Sequence, residues 1–305
     1  EAVHDGFLTA LLALEHTERI EVATSVVLAF PRSPTTTAYA AWDLQQMSGG
    51  RLRLGLGSQI KANVVGRFGV PWTAPVPRMR DYIGALRAIW RCWQTGEKLD
   101  FDSENYRLDR MQPFFNPGPI ERPDIPILLG GVNPKMTELA GESADGLMTH
   151  PTNTSPEYLR RVTRPALDRG AQRAGRSPKN VSILASTFAA TGPTDEAVEA
   201  ERERMREFLG FLYSTPQYRR TLEFHGWESL GERLQELTRQ GKWAEMKAAV
   251  GDDVLAALVP SGTYSDIAGI LKREYGGVAD AVTLRMPEDP RDDDGLAAVI
   301  ESLGV

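Results

Sequence analysis

Residues 20–57 read IEVATSVVLAFPRSPTTTAYAAWDLQQMSGGRLRLGLG. Ile20–Ala29 is an apolar, β-branched run, expected as one strand, and Thr36–Met47 is expected as the helix after it. Ser48-Gly49-Gly50 stops that helix, with glycine where a left-handed C-cap is needed. Leu52–Gly57 is the next strand. Strand, helix, strand in so short a span predicts two parallel strands, because parallel neighbours require a crossover connection.

The same alternation continues along the chain. Pro77–Gln94 reads as a long helix, with proline near its start and apolar residues at 79, 82, 83, 86, 89, 90 and 93. A polar, proline-rich excursion over 95–126 is expected to carry a small hairpin around Leu99–Leu108. Ile127–Leu129 is a strand, Asn133-Pro134 opens a helix, and Gly146–Thr149 is a further strand. Ser155-Pro156-Glu157 has the capping serine, first-position proline and acidic residue of a helix N-terminus. Val181–Ala190 is expected as the fifth strand and Ala281–Met286 as the last. Between them, about 194–275 reads as a helical insertion. The six strands predict an α/β fold, a (β/α)8 TIM barrel whose first two strands are missing, since a parallel sheet left open would expose unpaired amides. The whole of 1–305 is taken as one domain, opening in a loop, with its true start expected upstream. An open doubly wound sheet is the second reading.

The 305 residues carry 35 Lys and Arg against 41 Asp and Glu, a net charge of −6. Such a balance gives no general attraction for nucleic acid or an anionic membrane. No run approaches the roughly 18 continuous apolar residues of a membrane span. The single cysteine, Cys92, excludes an intrachain disulfide, and a cytoplasmic protein is expected.

Several chemical motifs fail. Gly55-Leu-Gly57-Ser-Gln-Ile60 begins like a dinucleotide fingerprint, but isoleucine stands where the third glycine is needed for close helix packing. There is no P-loop, no HExxH, no CxxC and no GxSxG, and the four histidines lack metal-ligand spacing, so no metal is expected. What remains is chemistry at strand ends, where barrels of this type place their active sites. Those ends read Thr24-Ser25-Val26, Gly57-Ser58-Gln59, Gly130-Gly131-Val132-Asn133 and Thr149-His150. Gly130-Gly131 permit close backbone approach, and the helix opened by Asn133-Pro134 offers free amides to a phosphate. Carboxylate pairs, which a hydrolase barrel would need, are absent from these ends.

Ser48-Gly-Gly-Arg-Leu-Arg-Leu-Gly-Leu-Gly57 resembles the SGGR…LGLG signature of the luciferase-like monooxygenases. Thr17-Glu-Arg-Ile-Glu-Val-Ala-Thr24 is similar to their TERI.LGT segment, and residues 126–146, PILLGGVNPKMTELAGESADG, to their block of paired glycines ending in ADG. Order and spacing agree over at least residues 1–170. Within that family the chain looks most like the deazaflavin-using, actinobacterial branch, whose cofactor is coenzyme F420.

The resemblance implies a role for each matching position. Ser25-Val26 matches a non-prolyl cis peptide behind the central cofactor ring. Gly57, Ser58 and Gln59 would line the ring and its polyol tail. Gly130, Gly131, Val132, Asn133 and Thr149 would hold the phosphate, with His150 orienting. A lysine that sugar-phosphate dehydrogenases of the branch carry after the sixth barrel strand is matched here by Thr152, which argues against sugar-phosphate oxidation. His4, and after it Glu1, are the candidate proton donors or acceptors beside the ring, imidazole titrating near neutrality. His16 is expected at the surface of a helix end, His225 packed beside Trp227, and Lys61 exposed. The expected function is therefore hydride transfer between coenzyme F420 and a small organic substrate, by a homodimer. An FMN-dependent monooxygenase is the alternative, and a non-catalytic binding barrel or inactive fragment the reading from another class.

Overall fold

The computed structural model describes residues 3–304. The chain divides into two compact units, Glu1–Met148 with Ala166–Ser182, and Thr149–Pro165 with Ile183–Val305.

In the first unit the expected strand over 20–29 is two short strands, β1 (Val22–Ala23) and β2 (Val27–Leu28), separated by a cis Ser25–Val26 peptide. Both pair in parallel with β3 (Leu52–Gly57), with Val22 opposite Leu52 and Val27 opposite Leu56. Composition does not mark the break, because β-branched and apolar residues run through it; the family resemblance does, in the cis peptide it implied at Ser25–Val26. The side chain of Thr24 bridges the gap: its Oγ1 donates to Gly55 O and accepts from Gly55 N, both at 2.9 Å. In β3, Leu52, Leu54 and Leu56 are fully buried. Each such side chain stabilises the fold by about 1.5–3 kcal/mol relative to exposure.

A clasp of β4 (Phe101–Asp102) and β5 (Arg107–Leu108) forms the antiparallel hairpin expected near there. β6 (Ile127–Gly131) pairs in parallel with β3, Leu54 opposite Ile127. β7 (Gly146–Thr149) lies beside β6. Helix Pro34–Met47 is capped by Ser33, whose Oγ accepts from Thr36 N at 3.1 Å, and ends at Gly49 and Gly50 with φ of +62° and +97°. Helix Pro75–Thr95 buries the stripe the sequence marked and ends at Gly96, also left-handed. Trp42 and Trp93, one from each helix, meet edge to face at 5.7 Å.

The chain does not open in a loop throughout. Helix Gly6–Glu15 begins where Asp5 accepts from Phe7 N and Leu8 N. Its sequence, GFLTALLALE, is apolar on nearly every side, so no helical period marks it; Leu8 and Leu12 are exposed.

In the second unit the expected strand over 181–190 is also two. β8 (Ser182–Ala185) pairs in parallel with a later strand, whereas β9 (Ala190–Gly192) joins β10 (Ser261–Thr263) in a separate two-stranded sheet. The partner of β8 is β11 (Ala281–Val282), shorter than the run expected over 281–286. The helical stretch is present as Asp195–Tyr213, Arg220–His225, Glu228–Arg239, Trp243–Ala249, Asp252–Leu258 and Ile267–Tyr275, interrupted by β10. Leu209, Tyr213, Leu222, Leu234, Leu237 and Leu255, all fully buried, form the core of this layer.

One device recurs in both units. Asp145, just before β7, donates its N–H to Ile127 O at 2.8 Å and accepts Ile127 N–H on its carboxylate at 2.9 Å. Asp280, just before β11, does the same with Ile183, at 2.9 and 2.7 Å. Each aspartate closes two backbone bonds that would otherwise be open where a ladder starts.

Candidate active site

The C-terminal ends of β3 and β6 and the start of β2 bring Val26, Gly57 and Gly130 into one layer. An ideal Cβ at Gly57 would lie 2.5 Å from Val26 Cγ2, and one at Gly130 would lie 3.2 Å from Val26 Cγ1. The valine methyls therefore rest on two strand ends: at Gly57 a side chain would overlap the valine, and at Gly130 it would press on it. Ser25 beside it is exposed, and Ser58 and Gln59 are half-buried. Gln59 adopts φ of +60°, the one non-glycine residue with positive φ among the described residues, and its Oε1 accepts Ile60 N–H at 2.9 Å. Left-handed backbone is uncommon outside glycine and is found disproportionately at functional positions. Lys61 is exposed, as expected, and is the first residue of helix Lys61–Gly66.

Gly130 and Gly131 end β6, and Asn133 caps helix Pro134–Ser143, its Oδ1 accepting Met136 N–H at 3.0 Å. Pro134 has no N–H, so in this first turn the amide left to a ligand is that of Lys135, whose side chain is exposed. Gly131 faces inward: a side chain there would meet Leu147 Cδ1 at 3.2 Å and Met136 Cγ at 3.4 Å. Lys135 is consequently the position from which an anion at this helix end is tested.

In the second unit, Thr149 is buried and its hydroxyl is committed. Its Oγ1 accepts Ser186 N–H at 3.0 Å and lies 2.7 Å from Thr154 Oγ1. The Thr154 hydroxyl in turn donates to His150 O at 2.8 Å, so the Thr149 proton goes to Thr154. Thr152, with no exposed surface, donates its N–H to His150 Nδ1 at 3.3 Å, and its hydroxyl lies 2.8 Å from the same nitrogen. An imidazole nitrogen that accepts an amide proton cannot carry one, so the neutral ring holds its proton on Nε2. Burial pushes the His150 pKa down to about 4, in keeping with a neutral ring. Tyr218 stacks on it, with ring centroids 4.3 Å apart. Asn153 is buried beside this turn, and its Oδ1 has no hydrogen-bond partner.

His225 is packed as expected, stacked on Trp227 at 4.6 Å, with Nε2 3.2 Å from Ser155 Oγ. Burial lowers its pKa while Glu157 opposes the shift. His16 caps the end of helix Gly6–Glu15 and is exposed. His4 is exposed one residue before the Asp5 cap, and Glu1 lies outside the described residues. Among the described residues no group of three or more His, Cys, Asp or Glu is placed to hold a metal ion, and no helix is long and apolar enough to cross a membrane. Thr154, Asn153 and Tyr218 were not picked out from the sequence. Their roles depend on partners up to dozens of residues away, which leave no local signal.

Known proteins bear directly on this arrangement. An uncharacterized protein of Mycobacterium tuberculosis is 43% identical over 92% of this chain and 83% of its own length. A second M. tuberculosis protein, named as a coenzyme F420-dependent oxidoreductase, is 30% identical over 93% of this chain and 84% of its own length. The structure of a coenzyme F420-dependent tetrahydromethanopterin reductase from Methanopyrus kandleri superposes with a TM-score of 0.80 at 20% identity, covering 98% of this chain and 87% of that one. The pattern described as luciferase-like monooxygenase matches residues 1–280, and the chain belongs to that family.

Proposed function

We propose that the chain is an oxidoreductase that transfers a hydride between coenzyme F420 and a small organic substrate. The observation that carries this reading is the contact layer of Val26 on Gly57 and Gly130, next to the helix end at Asn133. It offers an apolar patch around Val26 and, beside it, an N-terminal amide. That combination suits a flat heterocycle whose tail ends in phosphate. The relative named for F420, 30% identical over nearly the whole chain, supports the choice of cofactor. When bound, the deazaflavin supplies a carbon that gives or takes a hydride.

The protein's own part is placement. Val26 sets the height of the floor, Gly57 and Gly130 let it lie flat, and Ser25, Ser58 and Gln59 are available for the ring edge and polyol. Gly131, Val132 and Asn133 lead the backbone to the Lys135 amide for the phosphate. His4, exposed and next to a rigid cap, is the candidate to hold or move a proton. His150, neutral with Nε2–H, is available as an uncharged donor to a ligand.

Isothermal titration of the chain with coenzyme F420 and, separately, with FMN tests the reading. Micromolar binding of F420, weakened about tenfold or more (about 1.4 kcal/mol) by Lys135→Glu, is the expected result. Preference for FMN would replace it with a flavin monooxygenase, and absence of both affinities would leave a binding barrel without redox chemistry.

A further inference from the structure

The opposite ends of the same strands surround a cavity of about 750 Å³, formed wholly within the first unit. Arg53 stands at the start of β3, Pro126 leads into β6 and Asp145 precedes β7, so the strands themselves separate this cavity from the layer at Val26. Arg87, Trp90 and Arg91 reach it from helix Pro75–Thr95, and Arg176 lines it as well. A chain of net charge −6 thus gathers four guanidiniums around one hollow.

Arg176 Nη1 donates to Gly141 O and Ala144 O at 2.9 and 2.7 Å, which fixes the guanidinium and leaves its other nitrogens facing the hollow with only a long contact to Asp145. Arg53 is held by Glu21 at 2.9 Å. Arg87 and Arg176 share the carboxylate of Asp145, at 3.4 and 3.7 Å, while the same carboxylate also accepts Ile127 N–H. Those separations exceed the 2.7–2.9 Å or so of a well-made charge-assisted bond. The Arg91 guanidinium makes no ion pair with any described residue. Burial lowers the Arg176 pKa and the charge of Arg87 lowers it further, against the pull of Asp145; with Asp124 and Asp145 the lining holds two carboxylates to four guanidiniums.

We propose that this cavity is a binding site for a compact oxyanion carrying two or more negative charges, held by Arg87, Arg91 and Arg176 beside the wall of Trp90. Guanidiniums are suited to such groups because their paired N–H donors match two oxygens at once. A site at the strand starts leaves the strand ends free, and in barrels that face serves stability more than chemistry. The ligand would tighten the first unit without entering the reaction.

Isothermal titration of the full chain with inorganic pyrophosphate at 0.15 M salt tests the proposal, with succinate as a second arm that separates phosphate from carboxylate recognition. A submillimolar Kd is expected for at least one of the two, weakened tenfold or more by Arg91→Ala and by Arg87→Gln, and unchanged by Lys135→Glu. Arg91→Ala removes no internal ion pair, so its folding is expected to match the parent by circular dichroism. No heat of binding from either anion overturns the proposal. So does undiminished affinity in Arg91→Ala, or binding lost in Lys135→Glu alone, which would put the anion at the other end of the strands.

Discussion

Val26 occupies the space a side chain on Gly57 would need, its Cγ2 standing 2.5 Å from the ideal Cβ position. Gly57→Ala must therefore displace either the valine or the end of β3. Overpacking of this kind costs about 1–3 kcal/mol. Val26→Ala removes the obstructing methyl, so the double variant Val26→Ala/Gly57→Ala is expected to lose less than the two single losses combined, by about 1 kcal/mol. Urea unfolding of the four proteins measures the difference. Strict additivity would mean that the two residues do not oppose each other in solution.

His150 makes stability depend on pH in a defined window. Its folded pKa is about 4, below the roughly 6.5 of an unfolded histidine. Between those values the unfolded chain takes up a proton that the folded one refuses, so stability falls as the pH drops. The contribution is fully present above pH 6.5 or so and diminishes by about 2 kcal/mol by pH 5, approaching about 3 kcal/mol near pH 4. His150→Asn should flatten that part of the curve. The check is urea unfolding of both proteins at pH 7, 6 and 5; parallel losses would show that the imidazole is not the group responsible.

How far the sequence carried this reading depended on where each signal lay. The β3 leucines, the Ser48-Gly49-Gly50 stop and the Asn133-Pro134 helix start are local, and the structure holds them as expected. The break of 181–190 into β8 and β9 is not local. Composition continues unchanged across it, and the two halves part because each finds a different partner, β11 and β10. The same limit applies to the site. Gly130 was visible as a permissive position and Gly57 as a strand end, but that one valine rests on both is a fact of three strands meeting. Thr149 looked free to meet a phosphate because nothing nearby announced that Thr154 and Ser186 already hold its hydroxyl.

Asp280 anchors the start of β8 from across the ladder, accepting Ile183 N–H at 2.7 Å. Asp280→Ala leaves that partly buried donor without its acceptor, at a cost of about 1–3 kcal/mol. Asp280→Asn keeps a side-chain oxygen at the same place and should recover most of the loss. Both are read from urea midpoints at unchanged slope. Equal losses would point to the charge rather than the hydrogen bond.

Helix Pro134–Ser143 and helix Arg164–Arg173 approach each other at glycines in a reciprocal way. A Cβ on Gly170 would lie 1.8 Å from Glu138 O, and one on Gly141 would lie 2.0 Å from Leu167 O. Glu138 also holds Arg169 and Arg173 at 3.1 and 3.0 Å, which keeps the helices in contact beside the Gly170 approach. Gly170→Ala cannot be absorbed by a side-chain rotation, because the obstacle is backbone; helix Pro134–Ser143 has to move. That helix carries Asn133 and the Lys135 amide at its other end, so the displacement reaches the proposed phosphate contact without touching it. The expected outcome is a loss of about 2–4 kcal/mol in unfolding free energy together with at least tenfold weaker binding of coenzyme F420. Glu138→Gln, which weakens only the exposed ion pairs, should cost under about 1 kcal/mol and leave the affinity alone. If Gly170→Ala bound the cofactor as tightly as the parent, the position of this helix would not be what sets the anion contact.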